Sequence, residues 1–347
     1  MDPVQLIPTP DTIPVAWPWF KVLLLPSFAV HLLFMNALLG TAIIGWAHDL
    51  RPGGHGREVA RGVSGKLPFF LAFTINFGVA ALLFLQVLFG HFFYTSSILM
   101  ARWWLSLLLL VISAYAAAYW IELKFEQLGL WRRLIWCFMV GALLLVGFVF
   151  VNNMTLMQDP ESWRRYFQTP EGTLWHVGDP TLLPRYLHFV TASVAVGGLL
   201  LALLHRNRPG AARAAYMQWF TGATALQFVI GAWFFTSLPA AVRQGLTGGD
   251  TQASVLFAVA LLGVLLALVF GLRQRLGPAV AATLFTVAAM VLVRDAVRAL
   301  YLAPYFTIDR LVVAPQYSPM AVFGLMLSVG LAAVAYMVRL YRKGGRP

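Results

Sequence analysis

The chain has one cysteine, Cys137, among its 347 residues. A lone cysteine excludes an internal disulfide and any paired-cysteine C-x-x-C attachment or metal motif. Charge is scarce as well. Asp, Glu, Lys and Arg make up 11% of the residues, against about a quarter in soluble domains. Together with a 60% hydrophobic content and a mean hydropathy of +0.76, that shortage excludes a soluble globular domain. It indicates a polytopic membrane protein. Acidic residues are the scarcest charges: thirteen, against 25 basic ones, all in loops or at span ends. Proton routes through a bilayer are commonly lined by buried carboxylates, and none stands in mid-span here. The first 18 residues are Pro-rich and lack a basic n-region, so no cleavable signal peptide is expected. There is no internal repeat, low-complexity tract or second domain. Nor is there a pair of interrupted helices in corresponding halves, the mark of many transporters.

What is present is a series of apolar runs. Nine of them, at about 19–46, 68–94, 102–121, 134–153, 184–204, 216–238, 252–272, 277–301 and 319–338, approach the ~20 residues that a bilayer requires. The expected fold is therefore all-α, with nine transmembrane helices. Residues 1–18 form an extracytoplasmic N-terminal segment and 19–347 a single membrane domain. The net charge of +12 does not point to nucleic acid, because the basic residues lie in short loops between apolar runs. Alternate loops carry them unequally. Arg51, Arg57, Arg61 and Lys66 share one side with Lys124, Arg132 and Arg133, and with Arg339, Arg342 and Lys343. The positive-inside rule puts that side and the C-terminus in the cytoplasm and the N-terminus outside. The longest segment between spans, about 154–183, then forms a cap on the outer face.

Few polar side chains lie within the spans. His188 stands one turn inside the fifth, behind Pro184; His31 lies near the middle of the first, and His91 closes the second. A membrane-buried imidazole is costly without a partner and is a common haem ligand. The plainer reading is a histidine hydrogen-bonded inside a helix bundle. Counting about 1.5 Å per residue from the span edges puts His31 about 12 Å deeper than His188. That is too far for one iron, so the two are expected to hold different haems. His91 comes out at the depth of His188. His48 and His205 lie at the inner helix ends, where snorkelling accounts for them. Each follows a deeper histidine by 17 residues, about 100° apart around a helix, which excludes two haems stacked along one face. Arg294 and Arg298 stand at i, i+4 near the outer end of the eighth span, beside Asp295 and Tyr301. Like charges at that spacing repel. They read either as snorkelling side chains or as a clamp for carboxylates, of which a haem supplies two.

Several stretches together resemble subunit I of the cytochrome bd quinol oxidases. Leu25-Pro26-Ser27-Phe28-Ala29-Val30-His31 looks like that family's first helix, whose histidine ligates a haem of the active-site pair. Thr74-Ile75-Asn76-Phe77-Gly78 and Phe89-Gly90 are similar to its second helix. Phe150-Val151-Asn152-Asn153-Met154 through Met157-Gln158-Asp159-Pro160 looks like the ANxWMQxP end of its fourth. Arg185-Tyr186-Leu187-His188 matches the fifth helix, whose histidine ligates the outer haem b. The resemblance covers roughly residues 20–205 and is fainter beyond. The departures are specific. The long quinol-binding loop between helices six and seven is reduced to about Pro239–Thr251. In place of the GRQPW motif stands Val293-Arg294-Asp295-Ala296-Val297, and Val291 occupies the place of a haem-serving glutamate. The third-helix glutamates have no counterpart, and span seven has no methionine to ligate the outer haem. His91, which the family pattern does not require, becomes the candidate replacement ligand opposite His188.

The resemblance implies bd-like helical bundles holding two or more haem b groups, with quinone or quinol as a further ligand. Its iron ligands would be His31, His188 and His91, with Arg294 and Arg298 on a haem propionate. The implied function is a membrane electron-transfer subunit working between quinol and an extracytoplasmic redox partner. Its setting would be a bacterial cytoplasmic membrane, and its partners lipid, another membrane subunit or a c-type cytochrome. The alternatives are a divergent bd-type quinol:oxygen oxidoreductase and a non-redox membrane subunit or transporter. No catalytic residue is assigned.

Overall fold

A computed structural model describes residues 3–51, 54–207 and 210–344. The protein is an all-α polytopic membrane protein. Eleven α-helices follow one another: α1 (Trp17–Asp49), α2 (Gly54–Ser64), α3 (Leu67–Leu99), α4 (Ala101–Leu123), α5 (Trp131–Gln158), α6 (Leu182–Leu204), α7 (Gly210–Ser237), α8 (Ala240–Gln244), α9 (Thr251–Leu272), α10 (Leu276–Leu302) and α11 (Tyr317–Gly344). Among the described residues, extended pairing is limited to one parallel bridge, Ile13 to Val313. It ties the segment before α1 to the segment before α11.

Eight of these helices are long and apolar enough to cross a membrane. The sixth expected span is present as α7, which is 28 residues long. Its Gln218, Thr221, Thr224 and Gln227 dilute its apolar character and leave it outside that set. A short amphipathic helix, α2, stands where a basic loop was expected. It buries Val59, Ala60 and Val63 and leaves Arg57 and Arg61 exposed. At the same end of the bundle, Arg132 donates to the buried Asp49 through Nε (3.1 Å) and Nη2 (2.6 Å), a pin between α1 and α5.

The cap is shorter than the apolar pattern implied. Asn152 and Asn153 close the expected fourth span, yet α5 continues to Gln158. Their amides are used inside the bundle. Asn152 donates to the carbonyl of Leu174 (3.3 Å) and accepts from the backbone N–H of His176 (2.8 Å). Asn153 donates to Ser97 Oγ on α3 and accepts from Ser96 Oγ. The cap proper runs from Asp159 to Thr181, opens on a 3₁₀ turn over Pro160–Phe167, and buries Trp163.

α1 is the hub. It packs against α3 and α6, while α6 packs against α7, α4 against α5, and α9 against α10. The α1–α6 contact is backbone on backbone. A Cβ added at Gly40 would lie 1.8 Å from the carbonyl oxygen of Ser193, and one at Gly197 would lie 2.4 Å from the carbonyl carbon of Gly40. Ser193 Oγ donates to Asn36 Oδ1 (2.8 Å). Small residues permit this approach, and without a hydrophobic drive between helices in lipid it is the main source of packing energy. The pairs Asn36–Ser193 and Gly40–Gly197 also show that the two helices run in the same direction. α11 is exposed from Tyr317 to Lys343.

Candidate functional site

His31 projects from α1 against α3. Its Nδ1 lies 2.9 Å from the carbonyl oxygen of Thr74. A carbonyl can only accept, so Nδ1 carries the proton and Nε2 keeps the free lone pair. This is the arrangement by which a backbone carbonyl fixes the tautomer of a metal-binding histidine. The ring rests on Gly78, where a Cβ would come within 2.7 Å of Cε1. Gly78 is thus the space that lets the imidazole lie against α3.

His188 projects from α6 against α7. A Cβ at Gly231 would lie 3.5 Å from its Cε1, and the ring of Phe234 is 6.3 Å away. Gln227 donates to the backbone carbonyl of His188 at 2.7 Å. Both His188 Nδ1 and Gln227 Oε1 are buried without a hydrogen-bond partner.

The α1–α6 crossing relates the two histidines. His31 precedes Gly40 by nine residues, and His188 precedes Gly197 by nine. Nine residues rise about 13.5 Å and turn about 900°, which is half a turn beyond two full ones. Because the helices run in the same direction in this register, the two imidazoles stand at the same height. Each also points away from the shared interface, His31 toward α3 and His188 toward α7. The depth difference of about 12 Å expected from span edges is therefore corrected. α1 begins at Trp17 and reaches further toward the cap relative to α6 than its apolar run implied. The two sites are separated by opposite facing.

No protein-family model matches the chain, and no curated protein matches its sequence.

Between these sites, at the cap end, lies a concentration of positive charge. Arg294 on α10 stacks over Phe28, its guanidinium carbon 4.5 Å from the ring centroid, and interacts with His31. Arg298 stacks over Phe89 at 4.6 Å and bonds Asp295. Arg185 lies over Phe234 at 5.4 Å and Tyr301 at 5.9 Å, and donates to Gln158 Oε1 at 2.9 Å. Lys21 pairs with Asp295 at 2.8 Å. Lys21 and Arg298 thus share Asp295, and Arg294 feels the charges of Arg298 and Arg185 directly. Arg185 Nε and Arg298 Nε are buried without hydrogen-bond partners. Unpaired buried charge is costly unless an anion meets it.

The sequence placed Arg294 and Arg298 near the depth of His188, as candidates for a haem propionate. The structure puts Arg294 beside His31 and brings Arg185 into the group next to His188. Arg185 was visible only as part of the Arg-Tyr-Leu-His stretch, because its spacing of three from His188 carries no sign of the charge on α10.

His91 follows a kink in α3 at Phe89. Its ring lies 4.4 Å from that of Phe92 and 4.6 Å from that of Phe306, and its Nε2 is buried without a partner. Among the described residues, the rings that touch His91 come from α3 and from the segment after α10, and those beside His188 from α7. The inner pair differs from snorkelling side chains. His48 is buried, and it and His205 flank Tyr216 with ring centroids 6.3 and 5.0 Å away.

The cap holds a second polar cluster. His176 Nε2 is 3.0 Å from Asp159 Oδ2 and 3.5 Å from Asp179 Oδ2. Burial disfavours a charged imidazole, but the two carboxylates outweigh it and hold His176 up at about 8. Burial likewise opposes the Asp179 charge, yet the adjacent His176 and bonds from Thr181 hold it at about 2.

Proposed function

We propose that the chain is a haem b-binding, electron-transferring membrane subunit related to cytochrome bd subunit I. It would move electrons between membrane quinol and a redox partner at the cap face. The observation that carries this reading is the surplus of buried positive charge flanked by two imidazoles that face different helices. The residues fit the group. His31 has its tautomer fixed with Nε2 free and room made by Gly78, and His188 has an orphaned buried nitrogen. Arg185, Arg294 and Arg298 have the charge and the unused donors to meet propionates. When bound, haem supplies reversible uptake of one electron, tuned by axial ligand, burial and nearby charge. The protein holds the imidazoles on rigid backbone, excludes water and neutralises carboxylates. The basic end, with α2 and Arg132, faces the cytoplasm in this reading, and the cap faces outward.

Arg294 supplies a quantitative consequence. Replacing it by Gln removes a positive charge beside His31, which favours the oxidised, more positive iron. The midpoint potential of the His31 haem should fall by on the order of tens of millivolts, as for a partly screened charge several ångströms away. The haem of His188 should move less. Redox titration of the variant checks this, and equal shifts in both haems would detach Arg294 from His31.

Electron transfer without oxygen reduction is the expected activity. Reducing oxygen to water consumes four protons, and no carboxylate stands in mid-span to deliver them. Purified protein should show a b-type reduced-minus-oxidised spectrum and negligible oxygen uptake with reduced quinol. Absence of a Soret band would remove the haem reading altogether. Rapid cyanide-insensitive uptake that vanishes in His31→Ala would restore the oxidase.

A further inference from the structure

We infer that Asp159, His176 and Asp179 form a binding site for a divalent transition-metal ion of the zinc class, clipping the cap to the ends of α5 and α6. Among the described residues these three side chains are the one group of His, Cys, Asp and Glu that could hold a metal ion. Their ligand atoms all lie within 4.8 Å of one another. The site does not depend on the haem reading, and it lies outside the membrane-spanning helices.

The geometry favours a metal over a simple ion pair. His176 is 3% exposed. Although carboxylate oxygens lie 3.0 and 3.5 Å from Nε2, neither ring nitrogen makes a hydrogen bond of acceptable angle. The oxygens flank the nitrogen instead of lying along an N–H. Ligands around a tetrahedral ion with bonds near 2.0–2.1 Å are spaced ~3.3 Å apart, between the two distances seen. One imidazole and two carboxylates match a borderline divalent ion in both charge and donor type. A hard ion such as calcium takes oxygen ligands only.

Each ligand is also braced. Asp179 Oδ1 accepts from the N–H (2.7 Å) and hydroxyl (2.5 Å) of Thr181, which turns Oδ2 toward His176. The His176 backbone N–H donates to Asn152 Oδ1 at 2.8 Å, and Asp179 N–H donates to the His176 carbonyl at 3.0 Å. Such supporting bonds are usual around metal ligands. Asp159 closes α5, and Asp179 stands shortly before α6. A bound ion therefore closes a loop of about twenty residues, where a clip has entropy to remove. It also steadies the start of the helix that carries Arg185 and His188.

The test uses the full-length protein in detergent, stripped with EDTA, loaded with Zn²⁺ and dialysed, with metal measured by plasma mass spectrometry. The wild type should retain one zinc ion per chain. His176→Ala and the isosteric Asp179→Asn should each weaken retention at least tenfold, and Ca²⁺ should not compete. Zinc should also slow proteolysis within Pro160–Gly178 in the wild type and leave Asp179→Asn unaffected. Wild-type protein that keeps no zinc overturns the inference, whatever the variants do. So does equal retention by wild type and Asp179→Asn.

Discussion

Alanine at His31 and alanine at His188 should each remove one haem from the purified protein, and not the same one. Each loss should amount to about one haem per chain by pyridine haemochrome, because an axial histidine is what holds a non-covalent haem b in place. The two variants should differ in which part of the reduced-minus-oxidised spectrum survives. The reason is the half-turn between each histidine and its crossing glycine, which directs one imidazole to α3 and the other to α7. One iron cannot bridge two rings that face away from each other across two helices. Loss of the same band with the same remainder in both variants would show that the two histidines serve one site.

A larger side chain at the crossing should disable the whole bundle. In Gly40→Leu the new Cβ would start 1.8 Å from the Ser193 carbonyl oxygen and 2.6 Å from its carbon. Both atoms are main chain, so no rotamer change relieves the clash and α1 must move off α6. Overpacking of an ordinary core costs about 1–3 kcal/mol. A backbone collision at the hub of the fold exceeds that, against a net stability of about 5–15 kcal/mol. Gly40→Leu should therefore give little protein that survives detergent extraction, with both haems lost together. Gly141→Ala, where an added Cβ meets nothing within 4 Å, should unfold at or slightly above the wild-type temperature. Thermal unfolding in detergent checks both. Unchanged stability of Gly40→Leu would mean that the α1–α6 register is not as described.

Apolar runs of bilayer length made the helices legible, and rare polar residues inside them drew attention to His31, His188, His91, Arg294 and Arg298. Hydropathy reports where a run ends, but not how far one helix slides along another. The relative height of His31 and His188 was therefore misjudged. It follows from Asn36, Ser193, Gly40 and Gly197, whose small size says only that helices can approach. Lateral neighbours were equally hidden. Nothing in a one-dimensional pattern places Arg294 over Phe28, or Thr74 behind His31. Asn152 and Asn153 seemed to mark the end of the fourth span because their partners, Leu174, His176, Ser96 and Ser97, are distant in the chain. The Asp159–His176–Asp179 cluster was missed for a similar reason. Its members are spread over a segment that composition marks only as extramembrane.

The crossing of α1 and α6 also makes chain length a conserved mechanical quantity between each histidine and its glycine. Apart from Asn36 and Ser193, which bond across the crossing, side chains from Leu32 to Leu39 and from Phe189 to Val196 that face away from it can vary without moving the imidazoles, provided the helix persists. Removing or inserting one residue in either stretch would swing an imidazole by about 100° and shift it by about 1.5 Å. His31 would leave the Thr74 carbonyl, or His188 would turn away from Gly231. These two short stretches therefore act as gauge blocks, tolerant of substitution away from the crossing and intolerant of a change in residue number.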